Sequence, residues 1–588
     1  MKDNRMSKGR IQSIRTQMIN ERDQHLPTWR LLSKYIVPRR LKEDGSPRID
    51  GRRKDEHIIR NTAGLSLRTY VSGMMNGATP RTRPWFDMVT SDHKLTGDDS
   101  VKRYLEDVEK TIQSYLQLGN FYRVLPLAYK DVGVFSNAAF AMLPHPKYGF
   151  YFYPYTIGTY AFSTDAEGNS NMFTRDSILT VRQCVETFGN LKETGQIDWS
   201  NFNPAIKSAW DSARYLDDVN ISQVIIPNAS FNTETAANSL DPLDKKFQAY
   251  TYTTGVGGQS TGPLTPDQNS TGFREQQAGN EDYLKVSGYN YFPVITPRWE
   301  IEPEGSYGID GPGHMALSDI LTLQDQEIMR MEGAQKLVRP PMVGHASMRR
   351  HQSSILAGGI TYVDDRAANL KFQPAFTVGP ALAELVQNER EVEEMIRSAF
   401  YYDIFMMMSG QEVKSHVTKA EINERSAERM TMLSPVLGQF EFDITSKVIN
   451  NAQLILEGQG RMPEKPEQMR NKSIRPEYTS ILAQASKASI INTQERYANF
   501  LGSLAQATGN PAIVKLLKEE QYARSYADNI GLDPNLLRTE EEYSDIVEQQ
   551  NQQAEENRAM ERAQVQVDSI NKLGNTPAQE GSMLDTLV

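Results

Sequence analysis

The sequence predicts an α+β fold that is mainly helical and built in several parts. Three observations lead to this reading. Apolar residues recur at helical spacing through residues 9–134. Alternating aromatic runs of the β type are concentrated between Pro144 and Ile301. Two long helical stretches of matched length, 313–338 and 381–404, then bracket a segment rich in proline and glycine. The chain has 588 residues, 39% hydrophobic and 9% aromatic with 26 tyrosines, so it can bury a sizeable core. A mean hydropathy of −0.55 points to a long solvated surface or to polar interfaces.

Residues 9–36 carry Ile11, Ile14, Met18, Ile19, Leu26, Trp29, Leu32 and Ile36 at mostly helical spacing, closed by Pro38. A polar loop follows, with the charge run Arg52-Arg53-Lys54. Helices are expected over 57–77, 99–118 and 121–134, with "TPRTRPWFDM" an irregular connection. On the second of these, Val101, Leu105, Val108, Ile112 and Leu116 share one face. "GFYFYPYTIGTYAFSTDAEGN" alternates and turns at Gly168-Asn169. Helices at 177–188 and 203–216 precede the strand-like runs "NISQVIIPN", "KKFQAYTYTT" and "DYLKVSGYNYFPVITPRWEI". The Gly/Ser/Thr/Pro-rich segment 255–280 reads as a mobile loop. On the helix 381–404, Leu382, Leu385, Val386, Val392, Ile396 and Ala399 lie on one side, and Glu389, Arg390, Glu393, Glu394 and Arg397 on the other. "FMMMSGQEVKSHV" (405–417) is loop-like. Thr418 and Glu421 form a capping box that starts a helix kinked at Pro435. The remainder is almost wholly helical, and 539–573 is polar nearly all round, so that helix needs neighbours.

No run approaches the ~20 apolar residues of a membrane span, and no signal-peptide pattern opens the chain. The single cysteine, Cys184, excludes an internal disulfide and reads as a small buried hydrophobe. Net charge is −10, from 74 acidic and 64 basic residues, so any hold on nucleic acid is expected to be loose or local. The eight histidines show no zinc-ligand spacing, there is no G-x-S-x-G elbow, and adjacent acids such as Asp217-Asp218 and Asp364-Asp365 read as turn caps. No metal, cofactor or catalytic residue is expected.

The stretch "YGIDGPGHMALSDILTLQ" has the glycine-then-helix layout of a phosphate cradle. It lacks the lysine and hydroxyl of a Walker loop, and its order, G-x-x-G-x-G, reverses the dinucleotide fingerprint. A strand-to-helix turn explains it better. Gly311 sits at the N-cap and Pro312 at the first helical position, while Gly308 and Gly313 allow close backbone approach and unusual dihedrals.

Seven pieces in order resemble the portal protein, or head-to-tail connector, of short-tailed podovirus-type bacteriophages. They are "TWRLLSKYIVP" (28–38), "NTAGLSLRTYVSGMMNGATPRTRPWF" (61–86), "LGNFYRV" (118–124), "GVFSNAAFAM" (133–142), "YFPVITPRWE" (291–300), "YGIDGPGHMALSDILTL" (307–323) and "VTKAEINERSAERMTMLSPVLGQFEFD" (417–443). Here Ile309-Asp310 occupies a gap where family members have a tighter Tyr-Gly-x-Gly-Pro turn. Beyond residue 460 there is general helical character and no motif to carry over.

The resemblance implies the phage portal fold of wing, stem, clip and crown, assembled into a usually dodecameric ring with a central channel. It divides the chain into wing (1–306), first stem helix (307–338), clip (339–380), second stem helix (381–404), tunnel loop (405–417), kinked wing/crown helix (418–460) and helical crown (461–588), whose end is either a barrel or disordered. It implies a virion protein at a capsid vertex, assembled in the host cytoplasm, through which double-stranded DNA is packaged and ejected. Expected partners are further copies of itself, the terminase large subunit, a tail adaptor, and the major capsid and scaffolding proteins. Arg390, Arg397, Met406, Met407, Met408 and Lys414 are the tunnel-facing candidates, and Arg349, Arg350 and His351 the clip's partner-binding candidates. Ion pairing along the helix explains Arg390 and Arg397 equally well. Two other classes stay open at this level: a nucleotide-binding enzyme using a glycine-rich loop, and a nucleic-acid-binding scaffold protein.

Overall fold

A computed structural model of the chain describes residues 5–43, 46, 48, 51, 54–81, 84–90, 99–189, 196–232, 239, 241–256, 283–339, 342–343, 373–374, 381–408, 438–469, 472–478, 481–509, 516–530 and 540–574. It is a mixed helix and sheet structure, as the α+β reading expects. The chain divides into two compact units: 1–89, 107–464 and 474–485 form the first, and 90–106, 465–473 and 486–588 the second.

The first unit opens with two helices, α1 (Lys8–Asp23) and α2 (Leu26–Tyr35), where one continuous run was expected. Pro27 is the cause. It lacks an N–H and its ring clashes with the carbonyl four residues back, so it starts a helix and cannot continue one. Helix α3 (Thr62–Gly77) begins later than the expected 57, because the N–H groups of Ile59 and Arg60 donate to Gln324 Oε1 at 2.8 and 3.0 Å. Strand β1 (Phe86–Thr90) lies in the stretch read as irregular. Helices α4 (Asp99–Leu118) and α5 (Phe121–Phe135) match expectation, and Val101, Val108, Ile112 and Leu116 of α4 are fully buried.

Strands β2 (Phe140–His145) and β3 (Gly149–Pro154) form a hairpin that β9 (Val294–Ile295) extends, in the order β3-β2-β9. A five-stranded antiparallel meander follows: β4 (Tyr160–Thr164), β5 (Ser170–Thr180), β6 (Asp218–Pro227), β7 (Phe247–Val256) and β8 (Lys285–Tyr289). Helix α1 covers one face, packing Ile11, Met18 and Ile19 on Val224, Ile226, Tyr250 and Tyr252. Residues of opposite parity on β6, Val219 and Ile221, face α6 (Val181–Phe188) and α7 (Pro204–Asp211), with Cys184 buried among them. Residues 177–180, expected to be helical, instead complete β5. Thr180 and Gln183 make a capping box that fixes the start of α6 at Val181. Helix α7 stops at Asp211, before the expected 216, and Ala213 just beyond it has φ +56°.

Strand β10 (Glu300–Ile301) pairs with β11 (Gly308–Ile309), which leads into the short α8 (Pro312–Met315) and the long α9 (Leu317–Val338). Beyond α9, β12 (Met342–Val343) pairs antiparallel with β13 (Gln373–Pro374). Helix α10 (Ala381–Ala399) ends five residues before the expected 404 because Tyr401 takes φ +55°, and α11 (Tyr402–Met408) then begins. The stretch read as a loop from Phe405 is therefore helical as far as Met408. Phe405 is buried against Tyr70, in the space that Gly73 leaves by lacking a side chain. A π-helical turn, Glu441–Thr445, runs into α12 (Ser446–Gly458). The Thr418–Glu421 capping box, the Pro435 kink and residues 257–280 lie outside the described residues. Strand β14 (Ile474–Tyr478) pairs with β1 inside a stretch expected to be helical. Most of the second unit is helical, with α13 (Ile481–Thr508), α14 (Glu519–Ile530) and α15 (Glu540–Gly574). Gln494 and Glu495 of α13 bond Ser525 and Tyr526 of α14 at 3.2 and 2.6 Å.

Candidate functional site

The strand-to-helix turn sits against the C-terminal end of α5. There Ser136 adopts φ +60°, which ends that helix and turns its side chain and carbonyl toward the turn. Asn137 Oδ1 accepts from the Gly308 N–H at 2.7 Å, and Asn137 Nδ2 returns a bond to the Gly308 carbonyl at 2.9 Å. Ser136 Oγ accepts from the Gly311 N–H at 2.8 Å and lies 2.8 Å from His314 Nδ1. Both amides that a phosphate would need are thus buried and already bonded. The glycines serve close approach. A Cβ on Gly308 would fall 2.3 Å from the Ser136 carbonyl oxygen, and one on Gly313 2.5 Å from that of Val134. Their dihedrals are ordinary, contrary to expectation; the positive φ falls on Asp310, at +51°. Gly311 is the N-cap and Pro312 the first helical residue, as the sequence implied.

Burial lowers the pKa of His314 to about 4, against a partial upward pull from Asp310 and a further lowering by His25. The fold therefore favours neutral imidazole. Its contribution to stability is complete above the unfolded value of 6.5 and is lost as pH falls from there to about 4. The loss is of order 2–3 kcal/mol. Thermal melts at pH 7.5 and 4.5 should show a His314→Gln variant losing less stability on acidification than the parent; equal losses would rule out His314 as the cause.

The two long helices are joined by charge. Glu327 of α9 and Glu389 and Glu393 of α10 are buried, although Glu389 and Glu393 were expected on an outward charged face. Arg60, from the segment before α3, donates to Glu393 Oε1 at 2.7 Å and reaches Glu327 at 3.4 Å. Thr62 also donates to Glu393, at 3.1 Å. Arg330 binds both carboxylate oxygens of Glu327 through the Nε–Nη2 edge of its guanidinium, and these hydrogen bonds hold that carboxyl below the usual range. Glu389 Oε1 lies 3.3 Å from Arg330 Nε without a hydrogen bond. Burial and then the neighbouring Glu327 raise the Glu389 pKa. The buried stripe of α10 is therefore Glu389, Val392, Glu393 and Ile396, continued by Phe400 just past its end, a helical i, i+3, i+4 pattern with two acids in it.

A second ionic contact pins α12's approach to the β-rich part. Arg298, fully buried, donates to Asp443 Oδ2 and Oδ1 at 3.0 and 2.9 Å and to the Gly168 carbonyl at 2.7 Å. Asp443 stands in the π-helical turn and also accepts from Gln439 and Lys447 at 2.9 and 3.1 Å. Trp299, beside Arg298, packs its ring on Tyr70, Tyr401 and Phe440.

Of the tunnel candidates, Arg397 is held by Glu393 at 3.2 Å, one helical turn away. Arg390 is exposed and makes no ion pair among the described residues. Met406 is partly buried on α11, which also carries Met407 and Met408. Lys414, Arg349, Arg350, His351, Asp364 and Asp365 lie outside the described residues. Asp217 and Asp218 pair with Arg214 and Arg48 at 3.4 and 3.0 Å, so they act as ordinary ion-pair partners. Sequence reasoning missed Arg60, Gln324, Glu327, Arg330, Arg298 and Asp443. Local signals existed only in the i, i+3 spacing of Glu327 and Arg330 and the i, i+4 spacing of Asp443 and Lys447.

The sequence model of the family described as bacteriophage head to tail connecting protein matches residues 8–261 and 266–537. The chain is 27% identical over 580 residues to a portal protein of Salmonella phage epsilon15, covering 99% of this chain and 98% of that protein. It is likewise 27% identical over 567 residues to a probable portal protein of Bordetella phage BPP-1, covering 96% and 94% of the two chains.

Proposed function

The chain belongs to the bacteriophage head to tail connecting protein family, a structural and non-enzymatic portal for packaging DNA into the capsid, and from that premise we propose how its parts do this work. Copies close into a ring, twelve as in the usual family pattern, at one vertex of the virion, after assembly in the host cytoplasm. Helices α9 and α10 form the stem. Residues 339–380 form the clip, which meets the terminase large subunit and the tail adaptor, with Arg349, Arg350 and His351 as its contacts. Residues 1–306 and the kinked segment 418–460 form the wing, facing the major capsid and scaffolding proteins, and residues 461–588 supply the crown. Duplex DNA enters and leaves along the axis.

The observation that carries this reading is the end-to-end correspondence with two portal proteins, with no large part of either left over. The helix pair supports it. Met329, Met331, Leu337 and Val338 of α9 and Met395 of α10 are exposed on the single chain, Val338 at 78%. Exposed apolar side chains in this number, spread around the helix, suit contact with neighbouring copies. An acidic chain also suits a conduit, because each fixed phosphate contact adds affinity that would slow sliding. Of the tunnel candidates, Arg390 best fits a DNA-facing place, since its charge is not committed to the buried cluster.

A single-cysteine experiment tests this placement. Cys184 is fully buried and its thiol is pushed up to about 12 by burial, so it stays inert to maleimide. An Arg390→Cys chain carrying a photo-crosslinker should attach to DNA in particles stalled during packaging, whereas Arg182→Cys on exposed α6 should not. Equal crosslinking at the two positions would remove Arg390 from the channel.

A further inference from the structure

We propose that the outer face of the β2–β3 hairpin docks an acidic segment of a partner protein. The hairpin carries a run of rings: His145 stacks on Tyr148 with centroids 4.9 Å apart, and Tyr151 lies 5.8 Å from His145 and 5.2 Å from Tyr153. Tyr153 is 42% exposed. Two cations touch these rings, and a third binds a carbonyl of the turn that joins the strands. Arg123 donates to the Tyr151 hydroxyl at 2.8 Å, Lys147 lies 5.2 Å over the Tyr148 ring, and Arg461 donates to the Pro146 carbonyl while covering Tyr115.

None of the three forms an ion pair among the described residues. By contrast Arg15, Arg30, Arg60, Arg182 and Arg330 all pair with carboxylates. On a chain of net charge −10, this face gathers three cations without ion pairs beside exposed and half-buried aromatic rings. Recognition there has to use side chains. Although β3 is an edge strand, Asn120 takes the Phe152 N–H at 2.9 Å and bonds its carbonyl at 2.7 Å, which blocks strand addition at that point. Tyrosine and arginine together are the residues that dominate protein–protein contacts. Duplex DNA fits less well, because paired bases offer no free faces to the rings and the chain's overall charge opposes a polyanion. A segment with carboxylates and aromatic side chains uses both halves of the surface.

The test is fluorescence anisotropy on the full-length chain with a labelled peptide alternating glutamate and phenylalanine. A glutamine-for-glutamate peptide and a labelled DNA duplex serve as comparison probes. The glutamate peptide should bind the parent and lose about tenfold in affinity on combined Arg123→Gln and Lys147→Gln substitution at these exposed sites. Should the double variant melt early, Tyr153→Ser reads the same surface. No binding of the glutamate peptide, equal binding of parent and variant, or equal binding of the glutamine peptide overturns the proposal. So does tighter, variant-sensitive binding of the duplex, which would make the face a phosphate site.

Discussion

Replacing Arg298 with methionine should remove about 3–5 kcal/mol of stability, the cost of leaving a buried charge without its partner. Asp443 would keep only Lys447 and Gln439, and the carbonyl of Gly168 would lose its buried donor. The loss is a large fraction of the ~5–15 kcal/mol that holds a domain folded. It should appear in denaturant melts as an early transition and in expression as loss of soluble protein. Adding Asp443→Leu should recover a substantial part, because an apolar pair costs less to bury than an orphaned carboxylate. An Arg298→Met chain within about 1 kcal/mol of the parent would show that the π-helical turn is held by something else.

The second large effect is expected at the strand-to-helix turn. Gly313→Ala places a Cβ 2.5 Å from the Val134 carbonyl oxygen and 2.8 Å from its Cα, both backbone atoms of α5. Neither can rotate away, so α8 and α5 must separate, at a cost of about 3 kcal/mol or somewhat more. Gly308→Ala meets the Ser136 carbonyl and should behave similarly. Gly311→Ala meets the Ser136 hydroxyl, which can turn aside by giving up its bonds, so its loss should be smaller. Gly168→Ala is the control. Its φ is +80° but the space around it is open, so only the conformational penalty of about 1–2 kcal/mol remains. Thermal melts of the four variants should rank them in that order, and a Gly313→Ala chain as stable as the Gly168→Ala control would contradict the close-packing account.

How much of this was legible beforehand depends on the range of the interaction. Helix α4 followed from its apolar stripe, and α5 and the β6 and β7 strands from local pattern, because one side chain in three or four, or one run of β-branched and aromatic residues, decides such elements. Cys184 and the Gly311-Pro312 helix start followed likewise. Boundaries failed where a single residue overrode the pattern: Pro27 between α1 and α2, the Thr180 cap before α6, and the left-handed Tyr401 after α10. The outward reading of Glu389 and Glu393 failed for a different reason. Acids on a helix are ordinarily solvated, and only the arrival of Arg60 and Arg330 makes their burial tolerable. Arg60 lies 333 positions from its partner Glu393, and Arg298 lies 145 from Asp443. No spacing rule spans those distances. Both ends of the second pair nevertheless fall within the stretches that carried the family resemblance, "YFPVITPRWE" and the segment ending at Asp443.

The central claim is that this chain is a ring-forming conduit whose glycine turn sets geometry and binds no nucleotide. Negative-stain imaging of the purified full-length chain tests it most directly. The account predicts closed rings with a central hole wide enough for duplex DNA. A stable, compact monomer at micromolar concentration would contradict it.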